Sequence, residues 1–268
     1  MILIKSDEEI EIIRSNAVIL GKCHAEVAKS IAIGVTTKKL DNIAFEFIND
    51  NKAIPSFLNY NVGGRKYPAS LCISVNDVVV HGIPSLYEIK DGDIISIDCG
   101  VKLNGYHADS AYTYGVGNVS EAVQLLLKTT KESLYVGLNN AIEGKRIGDL
   151  GNSIQTFCES KNFTVVRELV GHGVGKSLHE SPEVPNYGRK GDGIKLKSNT
   201  VIAIEPMINL GKKSIVQDND GWTIRTSDKL PSAHFEHTVA VRKNQADILT
   251  TFLYIEEVIK ESDILVNI

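Results

Sequence analysis

The chain has 268 residues, 43% of them hydrophobic and 23% charged, the balance of a soluble globular protein long enough to bury a sizeable core. Its formal net charge of -4 gives no electrostatic footprint for nucleic acid or an anionic membrane as the main partner. No apolar run approaches a membrane span, and the start, Met1-Ile-Leu-Ile-Lys5-Ser-Asp-Glu-Glu9, turns acidic too soon for a signal peptide. Cys23, Cys72, Cys99 and Cys158 form no C-x-x-C pair, which fits buried reduced thiols and a cytoplasmic setting.

Ser6-Asp-Glu-Glu9 is a capping-box signature, and Ile10, Ile13, Ala17 and Leu20 follow at helical spacing. The spacing predicts a helix to Ile33, closed by Gly34. A second helix opens at Thr36 or Thr37, with Leu40, Ile43, Ala44, Phe47 and Ile48 as its core stripe. Residues 52–70 are irregular, with Phe57, Tyr60, Gly63, Gly64 and Tyr67 among them. A strand over 70–75 follows, and His81-Gly-Ile-Pro84 forms a turn beyond it.

A further strand reads Ile94-Ile-Ser-Ile-Asp98, and Asn104-Gly105 is a hairpin signal. A two-residue turn there sets Leu103 opposite Tyr106, Asp98 opposite Ala111 and Gly100 opposite Asp109. Asp98 and Asp109 then share one face as diagonal neighbours, roughly 7–8 Å apart. Two carboxylates on one face repel unless a cation lies between them. The small residues Ser96, Gly100 and Ala111 on that face leave space for one.

After Gly115 and Gly117 the chain starts over. Helices are expected near 120–139 and 147–162, and Leu40, Asn42 and Phe47 recur as Leu150, Asn152 and Phe157 at an offset of 110. Strand Asp93–Asp98 is echoed by Thr200-Val-Ile-Ala-Ile-Glu205, and His107-Ala-Asp109 by His234-Phe-Glu236. Between them lies Gly171-His172-Gly173-Val-Gly175-Lys-Ser-Leu178-His179. Alternating glycines there require the backbone to pass close to something while two imidazoles are held at its ends. The expected fold is therefore α/β (α+β): one domain over 1–268 with pseudo-twofold halves of about 1–116 and 117–268. A curved, mainly antiparallel central sheet carries helices on its outer face, and the acids gather at its centre.

His81, Asp98, Asp109, His172, His179, Glu205 and Glu236 are the chemistry-bearing set. Four acids and an imidazole suit two divalent cations about 3.5–4 Å apart, with a shared water as nucleophile. Oxygen-rich ligation favours ions such as Mn²⁺ or Fe²⁺ over a thiolate-rich structural zinc. Neither G-x-S-x-G nor H-E-x-x-H occurs. A solvent-facing carboxylate is the commonest fate of any one acid, but duplicated positions beside small residues argue against it here. His24, His107, His234 and His237 are assigned structural or surface roles.

Taken together, His81, Asp98 and Asp109 eleven apart, Gly-His172-Gly-Val-Gly…His179-Glu, Ile-Glu205-Pro-Met and Glu236-His-Thr-Val resemble the methionine aminopeptidases of type I. The resemblance runs over essentially the whole chain and implies the "pita-bread" fold. It implies that Asp98 chelates one metal, that His172 and Glu205 bind the other, and that Asp109 and Glu236 bridge both. His81 would meet the scissile amide nitrogen, His179 would steady the developing oxyanion, and Glu205 would take a proton from the bridging water. A free α-amine would complete one coordination sphere and restrict the enzyme to chain ends. Tyr60, Tyr67, Cys72, Leu178 and Trp222 would form the methionine pocket, although the Phe57–Lys66 loop is longer and richer in Gly and Asn than the family's. Only about thirty residues separate Glu205 from Glu236, too few for the type II insertion.

The resemblance implies hydrolytic removal of the initiator methionine from nascent chains with a small second residue. It implies two divalent ions (Co, Mn, Fe or Zn), a monomer, transient ribosome contact and no specific nucleic-acid or membrane partner. Two other readings stay open: an X-Pro peptidase or creatinase-like hydrolase of the same fold, and a non-catalytic pita-bread module that only binds peptides.

Overall fold

The computed structural model describes residues 2–268. Helix α1 spans Asp7–Lys29, opened by the Ser6/Glu9 capping box and buried along Ile10, Ile13, Ala17 and Leu20. It ends at Lys29, short of the expected Ile33. Beyond it the chain turns, with Val35 N donating to Ala32 O, and Gly34 N donates to Ile89 O and Ile89 N to Val35 O. Helix α2 spans Thr37–Asp50; the Thr36 hydroxyl accepts from Lys39 N, and Leu40, Ala44 and Ile48 are buried. The stretch expected to be irregular contains a small hairpin, Asn61–Val62 with Arg65–Lys66.

Strands Ile94–Leu103 and Tyr106–Gly115 form a long hairpin. Asn104 and Gly105 both have positive φ, as a tight turn with the hand of the sheet demands. The register is the expected one: Leu103 opposite Tyr106, Asp98 opposite Ala111, Gly100 opposite Asp109. Strand Leu71–Val75 pairs on the other edge and sets Cys72 opposite Asp98.

Helices α3 (Glu121–Leu138) and α4 (Ile147–Glu159) open the second half. Leu150 is buried like Leu40, and Phe157 is half-covered like Phe47. Strand Val201–Ile204 pairs with His237–Ala240, and strand Met207–Asn209 with Ser232–His234. Glu205 and Glu236 lie at the break between these two ladders, where Pro206 cannot continue the first. Helix α5, Leu253–Glu261, closes the chain against α1.

The strands form several antiparallel sheets of two to five strands; strand Ile224–Thr226 of the second half pairs with Val78–Val80 of the first, and at the acid cluster the halves meet through side-chain as well as backbone hydrogen bonds. Thr238 Oγ1 accepts from Asp109 N and donates to Asp109 O, while Glu236 N donates to Ala111 O. Thr113 Oγ1 likewise donates to His234 O and accepts from His234 N. One threonine from each half thus mirrors the other, and the junction brings Asp109 beside Glu236. Helices α1 and α3 cover the outer faces. Ile10, Leu40, Ile95 and Ile97 belong to the same apolar cluster as Leu134, Ile154, Ile202 and Val239.

Strand Gly171–Gly173 lies between Val201–Ile204 and Glu180–Val184. A Cβ on Gly171 would sit 2.4 Å from Ala203 O, and one on Gly173 2.5 Å from Ser181 O. The glycines are what lets three backbones close around His172. Gly173→Ala should therefore cost about 2–3 kcal/mol through forced overpacking; an unchanged urea midpoint would contradict this.

Two imidazoles are fully buried outside the acid cluster. His24 Nε2 bonds Ser110 O, and His237 Nδ1 bonds Thr250 Oγ1 while its ring stacks on Phe252. Burial lowers the His24 pKa to about 4 and that of His237 to about 3. Below about pH 6.5 the unfolded chain binds protons that the folded one refuses, so each site makes stability fall with falling pH. The loss is about 1.4 kcal/mol per group per pH unit once well below 6.5, continuing to the folded values. Urea unfolding in chelator at pH 7, 6 and 5 should show a shallower decline for His24→Gln, by about one proton's worth. Equal slopes would refute the assignment.

Candidate metal centre

Strand alternation aims Asp98 and Asp109 from the long hairpin at one face, and Asp109 is 3% exposed. Glu205 reaches the same place from the end of its strand, and Glu236, 2% exposed, from across the junction. His172 stands between them. Its Nδ1–H donates to Gly173 O at 2.9 Å, which fixes the tautomer and leaves a lone pair on Nε2. Nε2 lies 3.6 Å from Glu205 Oε1 and 3.9 Å from Asp109 Oδ2. Asp109, His172 and Glu236 each offer a donor atom, all within 4.8 Å of one another. Asp98 and Glu205 lie outside that tight trio but line the same cavity, of about 760 Å³.

Burial raises the Asp98 pKa to about 7, with His234 opposing the shift and Glu205 adding to it. Asp109 and Glu236 are pushed well up by burial and then by the neighbouring carboxylates. Burial also works against charge on Glu205, yet His234, His172 and His179 together draw it below the ordinary value. Asp98 Oδ1, Asp109 Oδ1 and Glu236 Oε1 are buried with no hydrogen-bond partner. Among the described residues no Lys or Arg lines the cavity. Orphaned carboxylate oxygens aimed inward beside a lone-pair imidazole are the donor set of a divalent cation site, and the residues fit one.

His81 follows strand Val78–Val80 with φ +59, an unusual conformation for a side chain of its size. It is held there because Gly82 N donates to Ser74 Oγ and Ile73 N to Gly82 O. Burial lowers its pKa, so the ring is neutral at neutral pH. His179 sits at the cavity mouth just before strand Glu180–Val184, whose register sets Glu180 opposite Gly173. Its ring centroid is 4.2 Å from that of His172, and its Nδ1 contacts the Tyr60 hydroxyl. A buried ion pair from Lys5 to Glu180, with Ser177 N donating to the same carboxylate, anchors its loop.

Phe57, Tyr67, Cys72 and Leu178 bury one another beside the acids, with Tyr60 and Trp222 packed against them. Tyr67 and Trp222 meet edge to face at 5.2 Å, and Tyr67 O–H donates to Gly82 O. Every sequence-predicted site residue therefore lines one cavity: His81, Asp98, Asp109, His172, His179, Glu205, Glu236 and the five pocket residues. Sequence reasoning missed the apolar wall of Val80, Leu169 and Met207. It also gave His234 no part in the site, yet that ring is 1% exposed with Nε2 3.5 Å from Glu205 Oε2. The signal was present, since alternation in His234-Phe-Glu236 turns both polar side chains one way. His24, His107 and His237 are buried structural residues, His107 through Ser56 Oγ.

The profile of metallopeptidase family M24 matches residues 11–243. The chain is 49% identical over 250 residues to the methionine aminopeptidase of Clostridium perfringens, covering 93% of this chain and 99% of that one. Methionine aminopeptidase 1 of Bacillus subtilis is also 49% identical over 250 residues, with the same coverage. The crystal structure of methionine aminopeptidase from Rickettsia prowazekii superposes with a TM-score of 0.91 at 36% identity, over 94% of this chain and 100% of that one. The architecture is thus the pita-bread fold expected from the sequence, and its site contains the ligand types of a metallopeptidase. By sequence, by fold and by the make-up of its acidic cavity, the chain belongs to metallopeptidase family M24, among its methionine aminopeptidases.

Proposed function

We propose that this chain removes the N-terminal methionine from nascent polypeptides whose second residue is small, by hydrolysis at a dinuclear metal centre. One observation carries the reading: four clustered acids, with no Lys or Arg among the described residues of the cavity wall, adjoin an apolar pocket suited to an unbranched thioether side chain. Four carboxylates balance two divalent ions, and Mn²⁺, Fe²⁺, Co²⁺ or Zn²⁺ all suit mixed oxygen and imidazole ligation. Asp98 would hold one ion, His172 and Glu205 the other, with Asp109 and Glu236 between them. When bound, such a pair acidifies a shared water and polarises the scissile carbonyl.

The protein's own groups do the rest. Glu205, kept ionised by three imidazoles, takes the proton of the attacking water. His81, neutral, faces the scissile amide nitrogen, and His179 donates to the oxygen that gains charge. Tyr60, Tyr67, Cys72, Leu178 and Trp222 receive the methionine side chain and exclude water from the bond. In this reading residues 1–268 act as one catalytic unit, monomeric and cytoplasmic, meeting substrates during transient contact with ribosomes.

Chelator-stripped protein should lose turnover of Met-Ala peptides and regain it with Mn²⁺, Fe²⁺, Co²⁺ or Zn²⁺, at up to two ions per chain by elemental analysis. Full activity in chelator would end the proposal, and faster cleavage of X-Pro than of Met-Ala peptides would favour the proline-specific alternative. His81→Ala should lower kcat by about 10²-fold or more while the metal content stays intact. Loss of the ions in that variant would show His81 to be a ligand instead.

A further inference from the structure

The Tyr60 hydroxyl lies 2.5 Å from His179 Nδ1, the two rings meeting at 70° with centroids 5.0 Å apart. Among the described residues no other protein group hydrogen-bonds that imidazole, so Tyr60 alone decides which nitrogen carries the proton. Two arrangements are possible. If the phenol accepts from Nδ1–H, Nε2 is left with a bare lone pair. If the phenol donates to Nδ1, Nε2 bears the hydrogen and can serve as a donor.

We propose that Tyr60 is a positioning residue whose O–H donates to His179 Nδ1 and holds the ring in the Nε2–H tautomer. The inference deepens the reading above and rests on His179 meeting the developing oxyanion. The setting favours this direction. Among the described residues His179 Nδ1 is the sole partner of the Tyr60 hydroxyl, so donation there uses its one hydrogen, whereas acceptance would leave that hydrogen without a protein partner. Partial burial, and then the charge of Asp109, raise the Tyr60 pKa, so the phenol keeps its proton.

The contact is not a by-product of core packing. Tyr60 stands at the start of the exposed hairpin Asn61–Lys66. The far strand of that hairpin lays Arg65 against Gly221, next to Trp222. One short hairpin therefore touches the catalytic imidazole at one end and a pocket wall at the other. A side chain filling the pocket presses on the same tyrosine that orients the imidazole, so recognition energy is spent on kcat as well as KM.

The test uses the full-length Zn²⁺-loaded enzyme, whose metal is diamagnetic. Long-range ¹H–¹⁵N spectra should show His179 with hydrogen on Nε2 and a hydrogen-bonded Nδ1, and Tyr60→Phe should shift Nδ1 toward a free pyridine-type nitrogen. Tyr60→Phe should also lower kcat by about 10- to 100-fold with KM changed far less, at unchanged zinc content. In a His179→Ala background the same substitution should cost nothing further. Hydrogen found on Nδ1, an Nδ1 resonance indifferent to Tyr60→Phe, or additive losses in the double variant would each overturn the proposal. Full activity of His179→Ala alone would instead refute the role given to His179, and the spectra would still decide the tautomer.

Discussion

Everything in this molecule is arranged around a repulsion. Four carboxylates converge in a cavity that has no Lys or Arg on its walls among the described residues, and several of their oxygens find no hydrogen bond there. Burial of one such group disfavours its charge, and gathering four compounds the cost, because each raises the proton affinity of the next. Rigid scaffolding is what makes the arrangement possible. Each acid is delivered by a strand whose other face is locked into an apolar core, so none can swing away to water.

The scaffold is duplicated, and the duplication has a purpose at the level of geometry. Each half alone contributes a pair of acids to one side of the cage. Joining them demands that two strand edges meet without a continuous backbone ladder, and Thr113 and Thr238 supply the missing hydrogen bonds. The glycines flanking His172 solve a related problem by letting three backbones approach around one imidazole. Specific placement has thus displaced ordinary side-chain packing at the points where the cavity is built.

Much of this was legible in the sequence. Asn104-Gly105 fixes a two-residue turn, and a two-residue turn fixes register, so the facing of Asp98 and Asp109 could be read before any coordinates. The echo of Ile97-Asp98 in Ile204-Glu205 carried the second half. What could not be read was set by tertiary competition. Helix α1 stops at Lys29 because Ile89, sixty residues away, captures the following segment in hydrogen bonds no local signal announces. His234 reads as the echo of His107 and takes the same structural role, so its alternation with Glu236 goes unused. The Tyr60–His179 contact joins positions 119 apart across a loop with no regular pattern.

The junction between the halves has a consequence for how the protein responds to its surroundings. Ions held by a ligand set that straddles it would act as a clasp, so affinity for metal would be inseparable from the cohesion of the two halves. Because both halves share one apolar core, starvation for divalent ions would lower the stability of the whole domain rather than free one half from the other. Scarcity of the cofactor would then raise the share of molecules open to a protease or chaperone.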